Sequence, residues 1–200
     1  DLGCGTGLEE RILSQYGRVT GLDGSRAAMK ICSKRHFAKL ILYEIDRQLP
    51  FKNEGFDLIC AFDLLEHLRY DNLVIKEIYR VLKKNGYFLF TVPAYQFLFS
   101  SHDLALKHQR RYKRGQILQL LNNNFQIIKL SYSNLLLFFL ALPLRIIKRG
   151  KKTTTKTDLA IKIPCLLNKI LIKILQGEAQ FICKYSLPFG LSIIGLVRKK

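Results

Sequence analysis

The sequence predicts an α/β fold built on a doubly wound, mostly parallel sheet. Two observations carry that expectation. From Asp1 to Pro93, apolar runs of strand length alternate with stretches of helical periodicity, the order of repeated βαβ units. The residues that carry chemistry also fall in register: Asp1–Gly7, Asp23, Asp46 and Asp63–His67 each follow an apolar run. Open α/β sheets bind ligands beyond the carboxyl ends of their parallel strands.

The chain opens on Asp1-Leu2-Gly3-Cys4-Gly5-Thr6-Gly7. Glycines at alternate positions let a backbone turn tightly and approach a ligand without side chains in the way. Leu8, Ile12 and Leu13 follow at helical spacing, so the run reads as strand end, glycine turn and helix N-terminus. That arrangement aims N–H groups and the positive end of a helix dipole at a ligand. Arg18–Asp23 is a short strand ending in an acid. Ser25 is a candidate N-cap for a helix with Ala28, Ile31 and Cys32 inward. Lys39–Tyr43 is the next strand, followed by Asp46-Arg47 and Leu49-Pro50-Phe51. Gly55–Phe62 has the length and composition of a buried strand. Leu73–Lys84 is an amphipathic helix with Val74, Ile78, Val81 and Leu82 inward, closed by Lys83, Lys84 and Gly86. Tyr87–Val92 is a strand stopped by Pro93. Further on, Gln116–Asn124 reads as a short helix, Phe125–Leu130 as a strand, and Leu187–Val197 as the last strand.

The loop is not a dinucleotide fingerprint, because Leu8 stands where the third glycine of G-x-G-x-x-G would fall, and no Gly-Lys-Ser/Thr makes it a P-loop. D-x-G-x-G-x-G instead resembles the first motif of class I S-adenosylmethionine-dependent methyltransferases. Asp63-Leu64-Leu65-Glu66-His67-Leu68 resembles the segment after that family's fourth strand. Helix, Lys-Lys-Asn-Gly and apolar strand together resemble its last diagnostic motif. The resemblance implies a Rossmann-like sheet, mostly parallel with an antiparallel last strand, and S-adenosyl-L-methionine as cofactor. It assigns cofactor binding to Asp1, Gly3, Cys4, Gly5 and Gly7, to Asp23 for the ribose hydroxyls, to Asp46 with Arg47 for the adenine, and to Phe62. Glu66 and His67 would organise the loop and the helix start that follow the fourth strand. It also implies that the first strand is mostly missing, that 1–200 form one domain, and that 131–186 are an apolar and basic helical insertion before the last strand.

After Pro93 the chain changes character. An aromatic run, Tyr95 to Phe99, leads into His102-Asp103 and then His108-Gln109-Arg110-Arg111-Tyr112. A subset of bacterial small-molecule methyltransferases looks similar here, and in the family the segment after the fifth strand overhangs the methyl group. His102 and His108 are therefore the candidate catalytic bases, with Asp103 as their orienter. No metal site is expected, since Asp103 is the one carboxylate near these histidines and the five cysteines are scattered without C-x-x-C pairs.

Charge separates the two halves. Asp1–Val92 carries 14 Lys/Arg against 12 Asp/Glu, and Pro93–Lys200 carries the remaining 19 against 3. The second half is built to meet something negative. Within it, apolar Leu135–Leu144 runs directly into Arg145, Lys148, Arg149, Lys151 and Lys152, the pattern of an interfacial anchor on anionic lipid. The uncharged stretch is too short to span a bilayer. A second apolar helix, Leu159–Leu175, is expected to be buried or to lie as a surface segment. These features suggest a methyltransferase acting on a small, lipid-linked or membrane-surface acceptor, cytoplasmic and peripheral at the inner membrane face. An anionic membrane surface is the candidate partner. Nucleic acid ranks behind it, because Ala61-Phe62-Asp63-Leu64 is not the Pro-Pro-aromatic motif of base N-methylation. The alternatives are an RNA or protein methyltransferase, whose phosphates the basic half would suit, and an inactive cofactor-binding fragment.

Overall fold

A computed structural model describes residues 1–46, 48–121, 124–139, 142 and 164–200. Arg47 and the basic cluster from Arg145 to Lys152 lie outside the described residues, as does most of the middle of the 131–186 segment.

Element order follows the alternation read from the sequence. After the glycine loop come α1 (Glu10–Leu13), β1 (Thr20–Asp23), α2 (Arg26–Ser33), β2 (Lys39–Leu42), β3 (Phe56–Phe62), α3 (Asp71–Val81) and β4 (Leu82–Pro93). Then follow α4 (Ser101–Ala105), α5 (Arg114–Leu121), β5 (Phe125–Ser133), α6 (Cys165–Lys184) and β6 (Ser192–Lys199). β1 pairs parallel with β2, and β3 pairs parallel with β4. β6 runs antiparallel between β4 and β5.

Asp1–Gly3 stitch these two groups of strands together. Gly3 N–H donates to the Leu22 carbonyl at 2.7 Å, and Leu2 N–H donates to the Cys60 carbonyl at 2.9 Å. Leu22 N–H returns a bond to Asp1 O at 2.9 Å. The loop thus leaves the sheet from between β1 and β3, where a ligand can reach it.

The core lies where the apolar periodicities meet. Val74, Ile78 and Val81 of α3 are buried against Leu82, Phe88 and Phe90, and the last two rings stack at 4.9 Å between centroids. Gly195 of β6 sits over Phe90, and a Cβ there would overlap the ring, so only glycine fits. Ser25 caps α2 as expected, its hydroxyl accepting from Ala28 N–H at 3.3 Å.

Three local expectations fail. α1 is a single turn; Leu8 and Ile12 are exposed, and Glu10 is the buried residue instead. In α2, Met29 and Cys32 face inward while Ile31 is half exposed. The helix expected to reach Lys84 ends at Val81, because Asn85 takes a left-handed conformation and the chain is already pairing with β3 from Leu82. Of the two readings of the apolar helix over Leu159–Leu175, the part described, from Cys165, is the surface segment rather than the buried helix. Leu167, Ile170, Ile174 and Phe181 repeat at helical spacing and are each 41–47% exposed, while Ile182 is the buried apolar residue. Among the described residues no helix is long and apolar enough to cross a membrane.

Candidate active site

The glycine loop is held open by its own backbone. Gly3, Gly5 and Gly7 all have positive φ (73°, 53° and 78°), a region L side chains rarely adopt. A Cβ on Gly3 would press on the Leu64 side chain, and one on Gly7 would strike Cys32. Gly5 faces open space: the nearest atom to a Cβ there is Gly3 O at 4.0 Å. The loop therefore leaves room at Gly5 for a ligand to approach the backbone, as a nucleoside cofactor requires. Asp23, at the end of β1, accepts from Gly5 N–H at 2.9 Å through Oδ2 and from Ser25 N–H at 2.7 Å through Oδ1. A carboxylate offers about four lone-pair sites, so acceptor capacity remains for a pair of ribose hydroxyls. Asp1 and Glu9 bring carboxylates within 4.8 Å of that of buried Glu10, an acidic group suited to an ammonium.

The other assigned cofactor residues are placed as follows. The Cys4 side chain is buried, its Sγ 3.7 Å from Met29 Sδ, so its backbone is the part that can face a ligand. Burial, reinforced by the Glu10 charge, holds the Cys4 thiol above its ordinary pKa. Asp46 is exposed in the stretch after β2, and Phe62 ends β3 paired with Thr91. Asp23→Ala is expected to weaken S-adenosylmethionine binding by about 1–3 kcal/mol, the cost of leaving hydrogen-bonding groups unpaired. Titration calorimetry on a folded variant with unchanged affinity would remove Asp23 from the site.

At the end of β3 lies a cleft of about 360 Å³. Asp63, Glu66, His67, His102, His108 and Arg111 line it, together with apolar side chains. The 63–67 and 102–111 stretches supply most of its lining, with Pro93, Asn134, Leu191 and Ser192 completing it. Asp63 turns the chain off β3 with φ 48°, a left-handed conformation that Asp tolerates, and its N–H donates to the Thr91 carbonyl. A 3-10 turn over Leu65–His67 follows. Ser100 and Asp103 form a reciprocal capping box that starts α4 and turns Asp103 into the protein. The 108–112 stretch is then clamped onto the turn: Gln109 N–H donates to Glu66 O at 2.9 Å, and Gln109 Nε2 to His67 O at 2.7 Å. The Tyr112 hydroxyl lies 3.0 Å from Leu65 O and 2.8 Å from Asp71 Oδ2.

Electrostatics here are organised around buried acids. Asp103 is fully buried. Arg111 holds its Oδ1 through Nε at 2.8 Å and Nη2 at 2.7 Å, and His108 Nδ1 approaches the same oxygen at 3.0 Å. Burial pushes the Asp103 carboxyl up, but the Arg111 guanidinium, the Ser100 amide and His108 outweigh it and leave the group below its ordinary pKa. Glu66 is also fully buried, and neither of its carboxylate oxygens makes a hydrogen bond among the described residues. Burial, then the neighbouring Asp63 charge, push it up to about 8. His67 packs edge-on against His108, ring centroids 4.7 Å apart. Partial burial and then the charge of His108 lower its pKa.

The structure brings His102, Asp103 and His108 into one neighbourhood, with Asp103 bonded to His108. Sequence reasoning missed Arg111 as the partner of Asp103, Glu10 beneath the loop, and the meeting of Glu66 with His108. The Ser100-x-x-Asp103 spacing is the one local signal that Asp103 turns inward.

A glycine loop between two parallel strands, an acid closing the next strand and a polar cleft alongside define the cofactor-binding end of an α/β enzyme. Residues 1–90 match the family model described as a methyltransferase domain. Residues 1–90 are thus similar to methyltransferase domains that use S-adenosylmethionine. The chain is 40% identical over 93 residues to an uncharacterized protein, MJ1252, of Methanocaldococcus jannaschii, a match covering 46% of this chain and 35% of that one. It is 32% identical over 124 residues to a fatty-acid O-methyltransferase of Mycolicibacterium smegmatis, covering 55% and 44%. The chain thus spans between a third and a half of these curated relatives. Its fold superposes on an S-adenosylmethionine-dependent methyltransferase of Mesorhizobium loti with a TM-score of 0.64 at 16% identity, covering 100% of this chain and 89% of the other.

Proposed function

We propose that the chain is the catalytic domain of an S-adenosylmethionine-dependent methyltransferase acting on a hydroxyl of a small, lipid-linked acceptor. The observation that carries this reading is the polar cleft of Asp63, His67, His102 and His108 at the end of β3, where the next residue, Leu64, packs close to Gly3 of the glycine loop. S-adenosylmethionine supplies a methyl group on a positively charged sulfur, whose departure as a neutral thioether needs no acid. The protein has two tasks: to hold the acceptor oxygen in line with the methyl, and to take the proton that the hydroxyl loses. The oxygen's electron pair forms the new bond to carbon as the carbon–sulfur pair returns to sulfur. His102 suits the proton's destination, since its Nδ1 is buried at the cleft and makes no hydrogen bond among the described residues. His108 has Nδ1 committed to Asp103, so Asp103 orients His108 rather than His102.

The lipid-linked character rests on α6, within the 131–186 insertion. Its stripe of Leu167, Ile170, Ile174 and Phe181 is exposed, with Lys169, Lys173 and Lys184 on the same helix. An apolar face beside lysines suits an acyl chain at an anionic surface. The similarity to a fatty-acid O-methyltransferase favours the same class of acceptor. The test is incubation with S-adenosylmethionine labelled in its methyl group against separated lipid and aqueous extracts. Label in base-labile or ether-linked lipid is the expected result. Label in RNA or protein alone overturns the acceptor class, and no transfer despite cofactor binding overturns the activity.

A further inference from the structure

The Glu66 carboxylate is the anomaly of this cleft. Its side chain is 0% exposed, yet neither oxygen has a hydrogen-bond partner among the described residues. A buried polar group without a partner is costly and calls for an explanation. Its surroundings supply one. The ligand atoms of Glu66, His67 and His108 all lie within 4.8 Å of one another. His108 Nε2 is 3.9 Å from Glu66 Oε1, with Asp103 on the far side of the ring at Nδ1. A carboxylate at Nδ1 makes that nitrogen the donor and leaves Nε2 a lone pair, so this lone pair faces the unpartnered Glu66 carboxyl with a gap between them. We propose that Glu66, His67 and His108 bind a divalent first-row transition cation at the wall of the acceptor cleft.

The geometry around the three ligands has the features of such a site. Metal-bound histidines characteristically donate their second nitrogen to a carboxylate or carbonyl, which fixes the tautomer. Asp103 does this for His108 and is itself locked by Arg111 and the Ser100 amide at 2.8 Å. Donors about 2.0–2.2 Å from a tetrahedral cation stand roughly 3.4 Å apart, so the 3.9 Å pair need close by only about half an ångström. Three protein ligands and an open fourth position are the catalytic form of such a site, and here the cleft supplies the opening. Two imidazoles and one carboxylate favour Zn²⁺, Mn²⁺ or a similar ion over the oxygen-loving Mg²⁺ and Ca²⁺. Local sequence gave no sign of it, because Glu66 and His108 are 42 residues apart. Binding stands on these residues alone. Its role rests on the methyl-transfer reading: the open position would take the acceptor oxygen, lower the pKa of its hydroxyl and fix it in line with the methyl.

The test is titration of chelator-stripped protein with Mn²⁺, followed by loss of the free-ion paramagnetic signal, and with Co²⁺, followed by its visible spectrum. A single equivalent with nitrogen and oxygen coordination is expected. Glu66→Gln and His108→Gln should abolish it, and Asp103→Asn should weaken it roughly 10–100-fold, the usual cost of losing an outer partner. Circular dichroism confirms that each variant is folded, and His67→Ala, at an exposed position, serves if the buried variants are not. Absence of stoichiometric binding overturns the proposal, as does a thiolate-to-cobalt band, which would point to Cys4, Glu10 and Cys32 instead. S-adenosylmethionine titrations on the same samples keep the two readings apart. Cofactor binding and methyl transfer by protein that takes up no cation would overturn this site and leave the proposed function standing.

Discussion

Arg111→Met is expected to destabilise the fold by about 3–5 kcal/mol, the usual consequence of stranding one member of a buried ion pair. The Arg111 side chain is 5% exposed and Asp103 fully buried, so a buried carboxylate is left to Ser100 and His108 once the guanidinium is gone. Nη1 also donates to Ala94 O at 3.2 Å, which ties the capping box of α4 to the end of β4. Urea unfolding measures the loss. Adding Asp103→Asn to the same chain removes the stranded charge and should recover a large part of it. A single Arg111→Met variant as stable as the parent would mean that the pair is not buried as described.

His102→Gln should lower turnover by about 10²–10⁴-fold, the range for removing a general base, with cofactor affinity unchanged. Glutamine keeps the size and polarity of the ring but cannot take up a proton at neutral pH. The loss should therefore fall on kcat rather than on the KM for S-adenosylmethionine. It should also be smaller for an acceptor whose hydroxyl is already acidic. Full activity at pH 7 would leave His102 as a wall of the pocket and move the proton's destination elsewhere.

The parts of this architecture that local pattern governs were legible. Ser25 announces its cap, the α3 stripe of Val74, Ile78 and Val81 faces the core, and the strands after Arg18, Lys39, Gly55 and Tyr87 all form. Failures share a cause. Periodicity says which side chains share a face, not whether anything covers it. The α1 turn therefore buries Glu10 where Leu8 and Ile12 were expected. In the cleft, the residue types were readable but their pairing was not. Asp103 meets Arg111 and His108 because a capping box turns it inward, and Glu66 meets His108 because Gln109 and Tyr112 clamp two distant segments together.

The place of β6 in the sheet bears on how the protein is made. Tyr87 pairs with Arg198 and Phe125 with Lys199, so β6 fills a middle position between strands synthesised long before it. Pairings this distant in sequence form slowly. While the ribosome is still adding residues 134–191, the β4 edge that β6 will cover, beside Phe90, has no strand on it, and β5 has no strand to join. A nascent chain in that state presents an open strand edge beside aromatic rings, which is what chaperones bind and what aggregates grow from. Yield in a cell should depend on translation speed across this interval as much as on the stability of the finished fold.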